Sequence, residues 1–295
     1  MWIIFMLGVL KNYFFLLRLD KPIGVYLLLW PSLAAVWLAS EGNPELLVVI
    51  IFCLGSFFMR SAGVIINDYF DQDIDRKVLR TFNRPIANYS VSNKEALALF
   101  SILMLLSSSL LLFLNLKSLY IALFCILLIS TYPLMKRFLP IPQLYLGICY
   151  SMGIFMAYAF YQGAFPLNCW LLFFGNIFWV LAYDTVYALS DRQDDLLINV
   201  RSSAIYFQGK EKLILWISYF LLITFLLLIG IFNSFSLLYF FVVSANILLI
   251  LFLMIATNFD KPSDCSKFFR KNHWAGDRNI FKLCCSFYLN ERNKI

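Results

Sequence analysis

Charge is what this sequence has least of. Only 14% of its 295 residues are Asp, Glu, Lys or Arg, about half the share of a soluble domain, which excludes an ordinary water-facing surface. Histidine is nearly absent too, with His273 alone, which argues against a histidine-ligated zinc or haem site. The seven cysteines include no CxxC pair. Cys53, Cys125, Cys149 and Cys169 lie in or beside apolar runs, where they read as small packing residues. Residues 1–17 are apolar, but Lys11 and Asn12 interrupt them and no small-residue cleavage site follows. The expectation there is an amphipathic N-terminal helix lying on a membrane surface.

Apolar residues fill the space. They make up 62% of the chain, with 31 phenylalanines and a mean hydropathy of +0.79. Eight runs approach the length that crosses hydrocarbon, about 20 residues each: 22–40, 45–66, 96–114, 118–134, 143–161, 168–190, 213–232 and 235–257. The fold class is therefore all-α, a polytopic membrane helix bundle, and the chain reads as a single intramembrane domain over 1–295. The net charge of +7 follows the same plan. Arg18 and Lys21, then Arg76, Lys77, Arg80, Arg84 and Lys94, then Lys136 and Arg137 fall in alternate connections. So do Arg192, Arg201, Lys210 and Lys212, and after the eighth run Lys261, Lys267, Arg270 and Lys271. The intervening connections carry Lys117 alone. This asymmetry orients the N-terminus and the basic loops to the cytoplasm. It accounts for the charge without nucleic acid.

Acids are rarer still, and they are concentrated. NDYFDQDID (67–75) and DTVYALSDRQDD (184–195) hold eight of the seventeen. At the helical repeat Asn67, Asp71 and Asp75 fall within about 80° of one another, as do Asp184, Tyr187, Asp191 and Asp195. Each stretch presents oxygen ligands along one face of a helix leaving the membrane, and both open to the same side. Acids at helix ends usually sit in water and do nothing. Two such ladders at the hydrocarbon edge, however, need a compensating cation. Zinc lacks its usual ligands here. An EF-hand-like calcium loop fails because Arg76 and Phe82 occupy the positions that need Gly and Glu. Magnesium with a phosphorylated substrate remains. Basic residues nearby suit a diphosphate: Arg80 and Arg84, Tyr132 with Lys136 and Arg137, and Arg201. Arg60 lies inside the second run, where an arginine should face the bundle interior and meet an anion.

RLDKPIG at 18–24 leading into LLLWPS, NDYFDQDID, TFNRPI, TYPLMKR, and YDTVYALSDRQDD followed by VRSSAI resemble the UbiA family of intramembrane prenyltransferases. Within it they are most similar to the branch that prenylates 4-hydroxybenzoate in ubiquinone synthesis. The resemblance implies a nine-helix bundle built as two four-helix halves plus one, with a polar cap on the cytoplasmic side of a bacterial-type inner membrane. It implies a magnesium–diphosphate site from Asn67, Asp68, Asp71 and Asp75 with Asp191, Asp194 and Asp195. Asp71, Asp191, Tyr187 and Arg137 are then the expected catalytic residues. Arg80, Arg84, Arg201 and Tyr132 are expected at the diphosphate, Lys136 and Arg137 there or at the carboxylate of the aromatic acceptor, and Arg18 or Arg60 at that carboxylate. The rings of Tyr69, Tyr132 and Tyr187 are of the type that stabilises an allylic carbocation. The implied partners are polyprenyl diphosphate, 4-hydroxybenzoate and lipid, with no nucleic acid and no obligatory protein partner.

The same fold also serves other acceptors: haem, homogentisate, naphthoate and chlorophyllide precursors. A cation transporter is the rival from another class, but transporters place their ion sites near the midplane, whereas these acids gather at one face. One departure concerns 272–295. Asp277, Arg278 and Lys282 interrupt the stretch where a ninth helix belongs, and the apolar remainder is too short to cross. This atypical tail is expected to stay on the cytoplasmic side.

Overall fold

The structure is a computed structural model describing residues 2–77, 81–197 and 200–272, apart from the side chains of residues 2–7, 133 and 136. The described residues are helical and contain no strand. In order they form α1 (Trp2–Leu16), α2 (Ile23–Ala39), α3 (Leu46–Asp75), α4 (Asn93–Leu110) and α5 (Leu116–Phe138). Then come α6 (Pro142–Tyr161), α7 (Leu167–Leu197), the short α8 (Ser203–Tyr206), α9 (Glu211–Phe232) and α10 (Leu237–Ala256). Residues 262–272 are helical as well.

Among the described residues six helices are long and apolar enough to cross a membrane: α3, α4 with the turn that follows it, α6, α7, α9 and α10. Two further apolar helical stretches, Ile23–Ala39 and Leu116–Tyr132, are shorter. The eight expected runs thus all coincide with helices, and this is a multi-pass membrane protein. The two acidic stretches close the two longest helices. With 30 residues α3 is about 45 Å long, and α7 with 31 is slightly longer. Hydrocarbon is about 30 Å thick. Three turns of each therefore extend past an oily span, so the acids continue a helix rather than occupy a loop.

Contacts divide the chain into two compact units, Met1–Val25 with Cys53–Phe113, and Tyr26–Phe52 with Leu114–Ile295. This differs from the expected pair of four-helix halves. In the first unit Leu16, fully buried at the end of α1, joins Ala62 and Ile65 of α3, Ile86 and Val91 of the loop, and Ala96 and Leu103 of α4. The loop is fixed by polar contacts. Arg76 donates to the Ala87 carbonyl at 3.2 Å and lies 4.3 Å over the Tyr89 ring. Ser92 and Glu95 form a capping box that starts α4.

In the second unit α5 packs on α6, α6 on α7, and α7 on α9. A side-chain carbon at Gly147 would lie 3.2 Å from the Ile177 backbone, so α6 and α7 approach as small residues permit. Ser151 Oγ accepts from Asn176 Nδ2 at 2.8 Å inside that contact. Lys117 donates to the Gly163 carbonyl at 2.8 Å, capping the end of α6.

Candidate active site

The first ladder is built by the last turns of α3. Asp68 and Asp75 lie seven residues apart, nearly in line on the helix, and are 2% and 5% exposed. Buried carboxylates need partners, and two arginines supply them. Arg84 Nη1 donates to Asp75 Oδ2 at 2.7 Å and to Asp68 Oδ1 at 3.0 Å. Arg18 Nη2 donates to Asp68 Oδ2 at 2.6 Å, so both Asp68 oxygens are engaged. Thr81 closes the loop by donating to the Asp75 carbonyl at 3.2 Å. Asn67 and Asp71, on the same face, are half-buried. Asp73 points the other way: its side chain is 84% exposed and pairs only with Arg76 among the described residues.

Arg18 occupies an unusual backbone. Its φ is +55°, the left-handed position that ends α1, with Leu19 N–H bonding to the Phe14 carbonyl and Arg18 N–H to Phe15. Glycine or asparagine normally sits there, and another residue costs about 1 kcal/mol or more. The guanidinium offsets this by donating to the Phe15 carbonyl at 3.0 Å as well as to Asp68. Burial draws the Arg18 pKa below its ordinary value; Arg84 and Arg60 push the same way, and Asp68 opposes.

Arg60 lies seven residues before Asn67, on the same face of α3 and half-buried. Its charge is close enough to Arg18 to be felt there. Yet among the described residues it makes no hydrogen bond or ion pair. Its guanidinium lies against Gly24, at the start of α2. Of the two arginines the sequence left open, one is engaged and one is not.

The second ladder ends α7. Asp184, Asp191, Asp194 and Asp195 are half-buried there. Ser190 Oγ donates to Asp191 Oδ1 at 3.3 Å, and the Tyr187 ring lies 4.9 Å from Phe269. Arg192 ties this end down by donating to Glu211 and to the Ala204 carbonyl. Gln143 accepts from the Ser203 N–H at 2.9 Å, and Thr185 shares a hydrogen bond with the Ser203 hydroxyl. Arg201 donates to the Phe138 carbonyl at 2.7 Å. This brings the residue beyond the ladder to the end of α5, where Tyr132 is half-buried and Arg137 exposed.

Some expectations resolve differently. Tyr69 packs with Phe58 and Leu99 against the core of the first unit, because it projects roughly opposite the ladder face. Arg80, the side chain of Lys136 and residues 273–295 of the tail lie outside the described residues. Asn272 is described: it is fully buried and accepts from the Tyr219 hydroxyl at 3.1 Å. Among the described residues no three carboxylate, thiol or imidazole groups gather as a ready metal cage. The donor chemistry still suits magnesium. Asn67 and Asp71 offer oxygen alone at the end of a helix, and magnesium takes one or two carboxylates and keeps waters.

An all-helical membrane protein with acidic helix ends is the class these features define. Residues 28–276 match the UbiA prenyltransferase family, and the chain belongs to it. A 4-hydroxybenzoate octaprenyltransferase of Polynucleobacter asymbioticus is 44% identical over 265 residues, 90% of this chain and 92% of that protein. One of Coxiella burnetii is 40% identical over 285 residues, covering 96% and 98%. Among solved structures, the apo form of a UbiA homolog from Aeropyrum pernix K1 superposes with a TM-score of 0.71 at 20% identity, covering 91% of this chain and 98% of that one. A UbiA homolog from Archaeoglobus fulgidus bound to GPP and Mg2+ gives 0.69 at 15% identity, covering 91% and 99%. These two likenesses establish the fold.

Proposed function

We propose that this protein transfers the polyprenyl group of a polyprenyl diphosphate to the ring carbon beside the hydroxyl of 4-hydroxybenzoate, in ubiquinone biosynthesis. The observation that carries this is the 40% and 44% identity, over nearly the whole chain, to proteins named 4-hydroxybenzoate octaprenyltransferase. It works as a multi-pass protein of the inner membrane, with eight spans and its acidic helix ends toward the cytoplasm, as the distribution of basic residues supports.

Asn67, Asp71 and Asp75 of α3 and Asp191, Asp194 and Asp195 of α7 are the proposed magnesium and diphosphate residues, with Asp68, both of whose oxygens are held by arginine, ordering Arg18 and Arg84 beside them. That a UbiA homolog from Archaeoglobus fulgidus is bound to GPP and Mg2+ supports a prenyl diphosphate and magnesium as the ligands; the choice of residues rests on the two acidic helix ends. When bound, magnesium supplies positive charge to the leaving diphosphate. Arg84, Lys136, Arg137 and Arg201, with Arg80 and Tyr132, add hydrogen bonds and charge to the same anion, favouring departure over return. The Tyr187 ring suits the allylic carbocation that departure leaves. Arg60 holds the acceptor's carboxylate bidentately, because its donors are open where those of Arg18 are used. The ring carbon beside the hydroxyl attacks the cation, then loses its proton to restore aromaticity. The prenyl tail remains among apolar helices.

Purified membranes given labelled polyprenyl diphosphate and a panel of acceptors test this. Prenylated 4-hydroxybenzoate is the expected product. Label appearing instead on homogentisate, a naphthoate or haem would overturn it.

A further inference from the structure

We infer that Gly24 is the positioning residue for the acceptor's carboxylate, its missing side chain leaving the space in which the Arg60 guanidinium lies. The inference rests on the reading of Arg60 given above. A side-chain carbon built on Gly24 would come within 2.7 Å of Arg60 Nη2 and 2.9 Å of its Cζ, nearer than real contacts allow. Gly24 is buried in the first turn of α2. Glycine is a poor helix former compared with alanine, and its backbone here takes no left-handed conformation that would require it. Helix formation therefore does not explain the glycine; the guanidinium does.

The direction of the consequence follows from what the added carbon meets. It would strike the far end of a flexible side chain rather than backbone. The guanidinium then moves and the helix stays. Moving a bidentate fork off its axis loses the match to a planar carboxylate. The residue thus governs acceptor recognition through Arg60 without touching the acceptor.

The test compares wild type, Gly24→Ala and Arg60→Gln as purified full-length enzyme. It reads equilibrium binding of 4-hydroxybenzoate, KM for each substrate and the thermal midpoint. Gly24→Ala is expected to weaken acceptor binding and raise acceptor KM roughly tenfold or more, the worth of a charge-assisted hydrogen bond. The KM for polyprenyl diphosphate and the thermal midpoint should hold. If Arg60→Gln weakens the acceptor and Gly24→Ala does not, the inference about Gly24 fails and the reading of Arg60 stands. If Arg60→Gln leaves the acceptor unaffected, the Arg60 reading fails, and this inference with it. Equal losses on both substrates in Gly24→Ala would mark a general packing role and also overturn it. Should Gly24→Ala not accumulate, Gly24→Ala/Arg60→Gln is compared with Arg60→Gln alone for accumulation, since the shorter glutamine clears the methyl. Recovery supports the inference, and continued failure overturns it.

Discussion

Arg84 and Asp75 are bound to each other at 2.7 Å, and the same nitrogen of Arg84 reaches back to Asp68 at 3.0 Å. One guanidinium therefore holds two turns of the acidic helix and the loop that follows. With Arg18 on the other oxygen of Asp68, two cations and two carboxylates form one buried network.

Asp68→Ala should therefore lower stability more than any other aspartate change in α3. It leaves Arg18 without its carboxylate and Arg84 with Asp75 alone, and breaking a buried pair typically costs about 3–5 kcal/mol. Thermal unfolding in detergent, with Asp73→Ala beside it, measures the difference. An equal midpoint for the two variants would mean that the network contributes nothing.

Asp73→Ala should be nearly silent. Its exposed pair with Arg76 is of the kind worth about 0.5 kcal/mol at most. Turnover should remain within about twofold of wild type, since nothing facing the ladder is removed. A large loss would mean that the ladder faces are assigned wrongly.

Asp71→Ala and Asp191→Ala should each lower turnover by about a hundredfold or more, the scale of losing transition-state charge stabilisation. Both residues are half-buried at helix ends, so the proteins should still insert and accumulate. Normal turnover in both would reduce the ladders to surface acids.

Excess EDTA should abolish transfer, and added magnesium should restore it. Undiminished turnover under EDTA is the outcome that sinks the metal reading. Circular dichroism should change little, because helix packing and arginine–carboxylate pairs hold the described fold.

Where the fold was legible in the sequence, periodicity and length were the cause. The eight apolar runs are helices, and the acids do continue α3 and α7, because hydropathy and the helical repeat are local properties. Asp73 stands two residues from Asp75, about 160° around the helix, so its facing away follows from the same repeat. The Arg18–Asp68 pair was not legible. The two lie 50 residues apart, and no spacing rule connects a loop residue to a helix that follows two others in the chain. Arg84 and Asp75 are separated by nine residues across a turn, which matches no helical interval either. Gly24 carried no local signal, since a glycine at a helix start reads as permissive until the guanidinium beside it is seen. Tyr69 was chosen by residue type rather than direction, and direction set it against the core of the first unit.

Position 18 holds two demands that no single residue satisfies. Its left-handed backbone favours glycine or asparagine, while the Asp68 carboxylate calls for a cation. A library screened only for folded, abundant protein can accept Arg18→Gly, where relief of strain offsets part of the lost ion pair. A library screened for growth on its own quinone should keep arginine. Enrichment at this one codon would thus separate, within a single experiment, what the chain needs in order to persist from what it needs in order to work.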